Sequence, residues 1–142
     1  MEIRVFAEAD RVAVIDLWHR CGLIRAWNDP DLDVDRKVAQ DAAGVLVVED
    51  DARIVGAAMY GHDGLRGSVG YLAVEPELMG TGVGRLLMGD IEDRLEAMGC
   101  PKVNLLVRND NADVVAFYER LDYAPDATIS MGKRLIPDVA PQ

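Results

Sequence analysis

The segment Leu72-Ala73-Val74-Glu75-Pro76-Glu77-Leu78-Met79-Gly80-Thr81-Gly82-Val83-Gly84-Arg85 sets three alternate glycines between a β-rich run and an amphipathic helical stripe. Residues without Cβ let a ligand approach the main chain, and a helix N-terminus offers unpaired N–H groups at the positive end of its dipole. The direct chemical expectation is a phosphate-bearing ligand. Two other glycine patterns fail on spacing. A G-x-G-x-x-G dinucleotide fingerprint starting at Gly80 meets Arg85 at its third glycine, and one starting at Gly82 meets Leu87. A GxxxxGK[ST] phosphate loop starting at Gly80 meets Arg85, then Leu86 and Leu87 in place of Lys and Ser or Thr. Nucleoside triphosphate hydrolysis therefore has no support. The same glycines would also serve a tight turn and close packing of a helix on a sheet.

The elements that must position this turn follow from apolar periodicity. Ile3 to Phe6 reads as a strand, and Val12, Ile15, Leu17, Trp18 and Leu23 form a helical stripe ending near Gly22. An acidic loop from Arg25 to Asp35, with Asp29, Asp31, Asp33 and Asp35 in alternation, feeds a small helix from about Asp33 to Ala43. Gly44 to Val48 and Ile54 to Tyr60 read as an antiparallel hairpin about the acidic turn Glu49 to Arg53, and Ser68 to Val74 as a further strand. The period then changes to 3.6. Leu87, Ile91, Leu95 and Met98 share one helical face, which Gly99-Cys100-Pro101 closes. Val103 to Val107 reads as a buried strand, Val114, Phe117, Tyr118 and Leu121 as a last helix, and Ile129 to Ile136 as a weak late strand.

Composition sets the bounds. A chain of 142 residues, half of them hydrophobic and 6 of them proline, fits a single globular domain over 1–142. With 15 Lys and Arg against 25 Asp and Glu, a net charge of −10 opposes nucleic-acid binding and suits a cationic acceptor or plain solubility. Cys21 and Cys100 form neither a CxxC pair nor a Cys/His cluster, so no disulfide framework and no metal site is expected. The N-terminal residues lack the pattern of a signal peptide, and no apolar run is long enough to span a bilayer. The expectation is a cytoplasmic protein without a membrane partner.

On two segments the chain resembles the GNAT family of N-acetyltransferases, and more narrowly its YpeA-type bacterial branch. Leu72 to Arg85 is similar to the family's strand, [QR]xxGx[GA] loop and helix, and Asn111 to Tyr123 to its N-x-x-A-x-x-F-Y-E-x-L-G-F segment. The narrower likeness rests on Ala26-Trp27-Asn28-Asp29-Pro30, Arg66-Gly67-Ser68, Gly99-Cys100-Pro101-Lys102 and Gly132-Lys133-Arg134-Leu135-Ile136. The resemblance implies an α/β (α+β) GNAT fold, a central mixed and mostly antiparallel sheet with helices on both faces. It implies acetyl-CoA as cosubstrate, bound by Leu72, Ala73 and Val74 along the pantetheine arm and by Met79, Gly80, Thr81, Gly82, Val83, Gly84 and Arg85 at the diphosphate. Asn111 would touch the pantetheine, a role its side chain shares with capping a helix. Tyr118 matches the tyrosine that protonates the departing thiolate, and a phenol of pKa about 10 keeps its proton at neutral pH.

Three positions depart from the family pattern. Met79 stands where relatives carry Gln or Arg, Asp122 where Gly follows the helix, and Leu106 where some relatives place a glutamate base. The base is therefore not readable: a water relay, another residue or an amine that arrives neutral would each serve. On the acceptor side, Trp27 and Tyr71 could hold an apolar or cationic group, and Asp29, Asp31 or Glu75 could attract an ammonium. Each also has a simpler role, in a solvated acidic face or as a Trp filling the core. His62 lies in a turn that also borders this side. The expected activity is acetyl transfer to a primary amine of a small molecule, protein N-terminus or lysine. An acyl-CoA-binding regulatory or partner-binding module that has lost transfer is the alternative. Relatives with this fold are often dimers, which leaves a homodimer open.

Overall fold

A computed structural model describes residues 1–138. The elements are β1 (Glu2–Val5), α1 (Arg11–Arg20), α2 (Pro30–Gln40), β2 (Val45–Asp50), β3 (Arg53–His62), β4 (Gly67–Val74), α3 (Val83–Ala97), β5 (Val103–Leu105) and α4 (Ala112–Glu119). Short 3-10 turns precede α1 and α3. The strands form one sheet in the order β1-β2-β3-β4-β5. Three junctions are antiparallel and the last, β4 with β5, is parallel. This is the mixed, mostly antiparallel sheet that the resemblance implied.

Helices cover both faces because the central strands are apolar on both. In β2, Val45 and Val47 enter a core with Val14, Leu17, Trp18 and Val34, under α1 and α2. Leu46 and Val48 enter a second core with Leu87, Met88, Ile91 and Leu95 of α3. A strand buried on both faces reads as a continuous apolar run, not as an alternation. Each large side chain so enclosed contributes about 1.5 to 3 kcal/mol.

Local boundaries differ from the periodicity: β2 and β3 run on into the expected turns, to Asp50 and His62, and four further differences have clear structural marks. α1 ends at Arg20, two residues before the left-handed Gly22. α2 begins at Pro30, not near Asp33, because the Asp29 carboxylate accepts the N–H groups of Asp31 and Leu32 and proline suits a first helical position. β5 stops at Leu105 and does not reach Val107. The late strand over Ile129 to Ile136 does not form: among the described residues no ladder reaches that segment. The Ile136 carbonyl instead accepts a local bond from the Arg134 side chain.

The β2–β3 hairpin turns on Asp51 and Ala52, both left-handed at φ 48° and 62°. Two left-handed central residues match the right-handed twist of the flanking strands, and glycine is the residue that adopts this conformation without Cβ strain. Ala52 is exposed and packs on nothing that its replacement would vacate. Ala52→Gly is expected to raise the thermal midpoint, by relief of about 1 to 2 kcal/mol of strain less the smaller entropy cost of glycine. Calorimetric melting of both proteins checks the sign.

Candidate active site

β4 and β5 pair only through Gly67, Ser68 and Val69 opposite Val103, Asn104 and Leu105. Beyond that point the strands part, and the edge of β4 from Gly70 to Val74 has no strand beside it on that side among the described residues. A bulge lies at the same place. Met59 pairs with Gly70 and Ala57 with Ala73, so Tyr71 and Leu72 together oppose Ala58. Tyr71 takes φ 53°, a left-handed conformation strained for a residue with a Cβ. Its ring stacks on that of the buried Trp18, centroids 4.3 Å apart, and its hydroxyl donates to Asp33 Oδ2 at 2.6 Å. Burial, reinforced by the Asp33 carboxylate, pushes the Tyr71 phenol well above its ordinary range.

After the bulge, Leu72 and Val74 face the α3 core and Ala73 the α1 core. A chain of tight turns then leads to α3: the Leu78 N–H donates to Glu75, that of Met79 to Pro76 and that of Thr81 to Leu78. Gly80 and Gly82 are left-handed at φ 80° and 100°, which explains glycine at both. Gly84 has a different reason. A Cβ there would lie 3.0 Å from the Phe117 ring, so its absence lets α3 and α4 pack closely. Val83 is buried, Met79 is exposed, and the Arg85 guanidinium donates to the carbonyl of Arg120 at the end of α4. The Thr81 hydroxyl donates to the Leu78 carbonyl at 2.5 Å and braces the loop that Met79 cannot bond to.

Tyr118 is buried on α4 in the core that also takes in Val74, Leu105 and Val107, residues that flank the parting. Edge contacts from Phe117 and Tyr123 enclose its ring. Burial alone lifts its phenol to about 12, so it carries its proton across the neutral range. Asn111 caps α4, its side chain accepting the Val114 N–H at 3.3 Å, and stays exposed. Asp122, where relatives carry glycine, is left-handed at φ 69°. The chain keeps the turn that glycine would make and accepts the strain.

On the acceptor side the residues are placed unequally. Trp27 is 54 % exposed, and Trp18 is the tryptophan that fills the core. Asp29 is occupied as the cap of α2. Glu75, only 5 % exposed, is held by Arg20 of α1 and by Arg53 of β3 at 3.3 Å, while Arg53 also bonds Glu77 at 2.6 Å. The Arg20 pairing, stronger than burial, holds the Glu75 carboxyl below its usual range. His62 is half-buried, its Nε2 without a hydrogen-bond partner among the described residues. Leu106 is 84 % exposed and offers no proton acceptor. Trp18, Asp33 and Arg36 were not singled out by sequence reasoning. The alternating aspartates were the only signal for Asp33, and nothing local marks its bond to Tyr71.

The cysteines are free, with Cys21 donating to the Val74 carbonyl at 3.3 Å. No metal-holding group of side chains occurs among the described residues, and no helix there is long and apolar enough to cross a membrane. A parted pair of strands leading into a left-handed glycine loop is the arrangement that the resemblance implied for an acyl-transferring enzyme. Residues 8–123 match the acetyltransferase (GNAT) family, and the chain belongs to it. It is an N-acetyltransferase. An acetyltransferase of Pectobacterium atrosepticum is 49% identical over 138 residues, covering 97% of this chain and 98% of that one. A ribosomal-protein-alanine N-acetyltransferase from Brucella melitensis shares the fold at TM-score 0.73 and 20% identity, over 94% of this chain and 100% of that one. Glucosamine-6-phosphate N-acetyltransferase from Arabidopsis thaliana does so at TM-score 0.68 and 20% identity, over 95% and 98%.

The Glu75 pairs predict an acid dependence. A carboxyl with a depressed folded pKa contributes stability that is present above its ordinary value and is lost as pH falls through the folded value. Glu75→Gln is expected to be less stable at neutral pH and to lose less stability between about pH 6 and pH 3 than the parent. Urea titrations at the two pH values measure both differences.

Proposed function

We propose that this chain transfers the acetyl group of acetyl-CoA to a primary amine by direct attack within a ternary complex. The observation that carries the reading is the continuity of the unpaired edge of β4, Gly70 to Val74, with the left-handed loop that opens α3. Amides of a pantetheine arm pair with the main chain at Leu72 and Val74 as a neighbouring strand would. The diphosphate then meets the N–H groups of Gly80 and of Gly82 to Arg85 at the start of α3, those of Met79 and Thr81 being bonded within the loop. Asn111 closes the far side of the arm while it caps α4.

The amine nitrogen attacks the thioester carbonyl carbon, the carbon–sulfur bond breaks, and Tyr118 gives its proton to the departing thiolate. The nitrogen releases its own proton to solvent, since the side chain at Leu106 takes none. The acceptor enters beside the half-exposed Trp27, with Tyr71 and Asp29 on the same loop-facing side. Glu75 stays out of acceptor binding, because two guanidiniums already neutralise it. Both acceptors named for the solved relatives present a primary amine, one on an amino sugar and one on a protein alanine.

Tyr118→Phe is expected to lower turnover by about 10²- to 10⁴-fold while calorimetric acetyl-CoA affinity stays unchanged. Equal turnover in a thiol-release assay would overturn the acid role. With a neutral amine as nucleophile and an acid at about 12, the parent's rate is expected to rise with pH without an alkaline limb below about pH 10. Gly82→Val is expected to weaken acetyl-CoA binding, since the left-handed backbone at φ 100° rejects a β-branched residue.

A further inference from the structure

The acceptor-side motif Trp27-Asn28-Asp29 and a second motif that the acetyl-transfer site does not use, Lys133-Arg134-Leu135-Ile136, lie more than a hundred residues apart. In the structure they clasp each other. Arg134 donates to Asn28 Oδ1 at 2.5 Å, and the Asp29 N–H donates to Asp138 Oδ2 at 2.7 Å. Asp138 also pairs with Arg36 of α2 at 2.8 Å and with Arg134 at 3.3 Å, and its side chain is 0% exposed. A carboxylate enclosed in this way needs its partners, and two guanidiniums with one amide supply them.

Among the described residues little else holds the segment beyond Tyr123. It contains no helix or strand among the described residues, and Ile129, Met131, Leu135 and Ile136 are all exposed. Near its start, Asp126 reaches Lys102 and Asn104 beside β5. Its other anchor is the Asp138 cluster, so polar bonds and not apolar burial keep it in place.

The cluster is continuous with the open edge of the sheet. Arg36 bonds Asp33 at 3.3 Å as well as Asp138, and Asp33 receives the hydroxyl of Tyr71 on the bulge. We propose that Asp138 is a positioning residue for the acceptor: through Arg36 and Arg134 it latches the segment across the Trp27–Asp29 turn that opens α2 and fixes the Asp33–Tyr71 wall. The inference rests on the acceptor entering beside Trp27, and it makes the latched segment the outer wall of that entrance. Acceptor binding then depends on the latch, whereas the acetyl-CoA side, formed by β4 and α3, does not.

The test uses Asp138→Asn in the full chain, with 1,5-diaminopentane and an alanine-terminated peptide as acceptors. Loss of the anion is expected to raise KM for the acetylated probe about ten-fold, the weight of one charge-assisted hydrogen bond. The turnover number and the calorimetric acetyl-CoA affinity should stay at parental values. Acrylamide quenching of Trp27 should rise, with buried Trp18 as the internal reference. Arg36→Met should reproduce the change and Arg36→Lys should largely restore the parental KM, which serves if Asp138→Asn folds poorly. Unchanged quenching, or a KM that stays parental, would overturn the latch. A parent that binds acetyl-CoA but acetylates neither probe would count against the amine entrance, and quenching alone would then decide the latch.

Discussion

A single backbone conformation parts the sheet. At Tyr71 the chain is left-handed, and the extra residue of the bulge ends regular β geometry just where β5 leaves its neighbour. A left-handed non-glycine residue costs on the order of 1 to 2 kcal/mol. The stack on Trp18 and the bond to Asp33 oppose that cost, and both come from the helices on the α1 face. Remove either, and β4 loses what holds it in its bent form.

Because side chains alternate along a strand, β4 divides the chemistry between the two faces of the sheet. Leu72 and Val74 belong to the core that holds Tyr118 and α3, while Tyr71 and Ala73 belong to the core of α1 and α2. On the proposed reading the thioester and its proton donor lie toward one layer, and the acceptor toward the other. Glu75, at the exit of the strand, ties α1 to β3 through Arg20 and Arg53. The glycine loop begins from a point held from two sides.

The amphipathic period of α3, the hairpin and the glycine loop were legible because each depends on residues close in sequence. So was the burial of Tyr118, which lies on an apolar stripe. The left-handed states of Tyr71, Ala52 and Asp122 were not, since no glycine marks them, and the contacts with Trp18 and Asp33 that hold Tyr71 are tertiary. Apolar β-formers between Ile129 and Ile136 suggested a strand, but a strand requires a free neighbouring edge, and that segment is drawn instead toward Asn28 and Asp29. The role of Glu75 was equally hidden, because the two arginines that claim it lie 55 and 22 positions before it in the chain. Asp29-Pro30 did carry a local helix-start signal, and the alternating aspartates after it obscured the boundary.

An open half-strand in the middle of a sheet also has a cost outside catalysis. The main-chain groups of Gly70 to Val74 form a template onto which any extended peptide can pair, including the same stretch of another chain. A ligand that lies along this edge as a strand blocks that template and stabilises the folded state by mass action. On the proposed reading, the resistance of the protein to aggregation should therefore follow the supply of its cosubstrate, so that starvation for acyl donors exposes the idle chain to self-association.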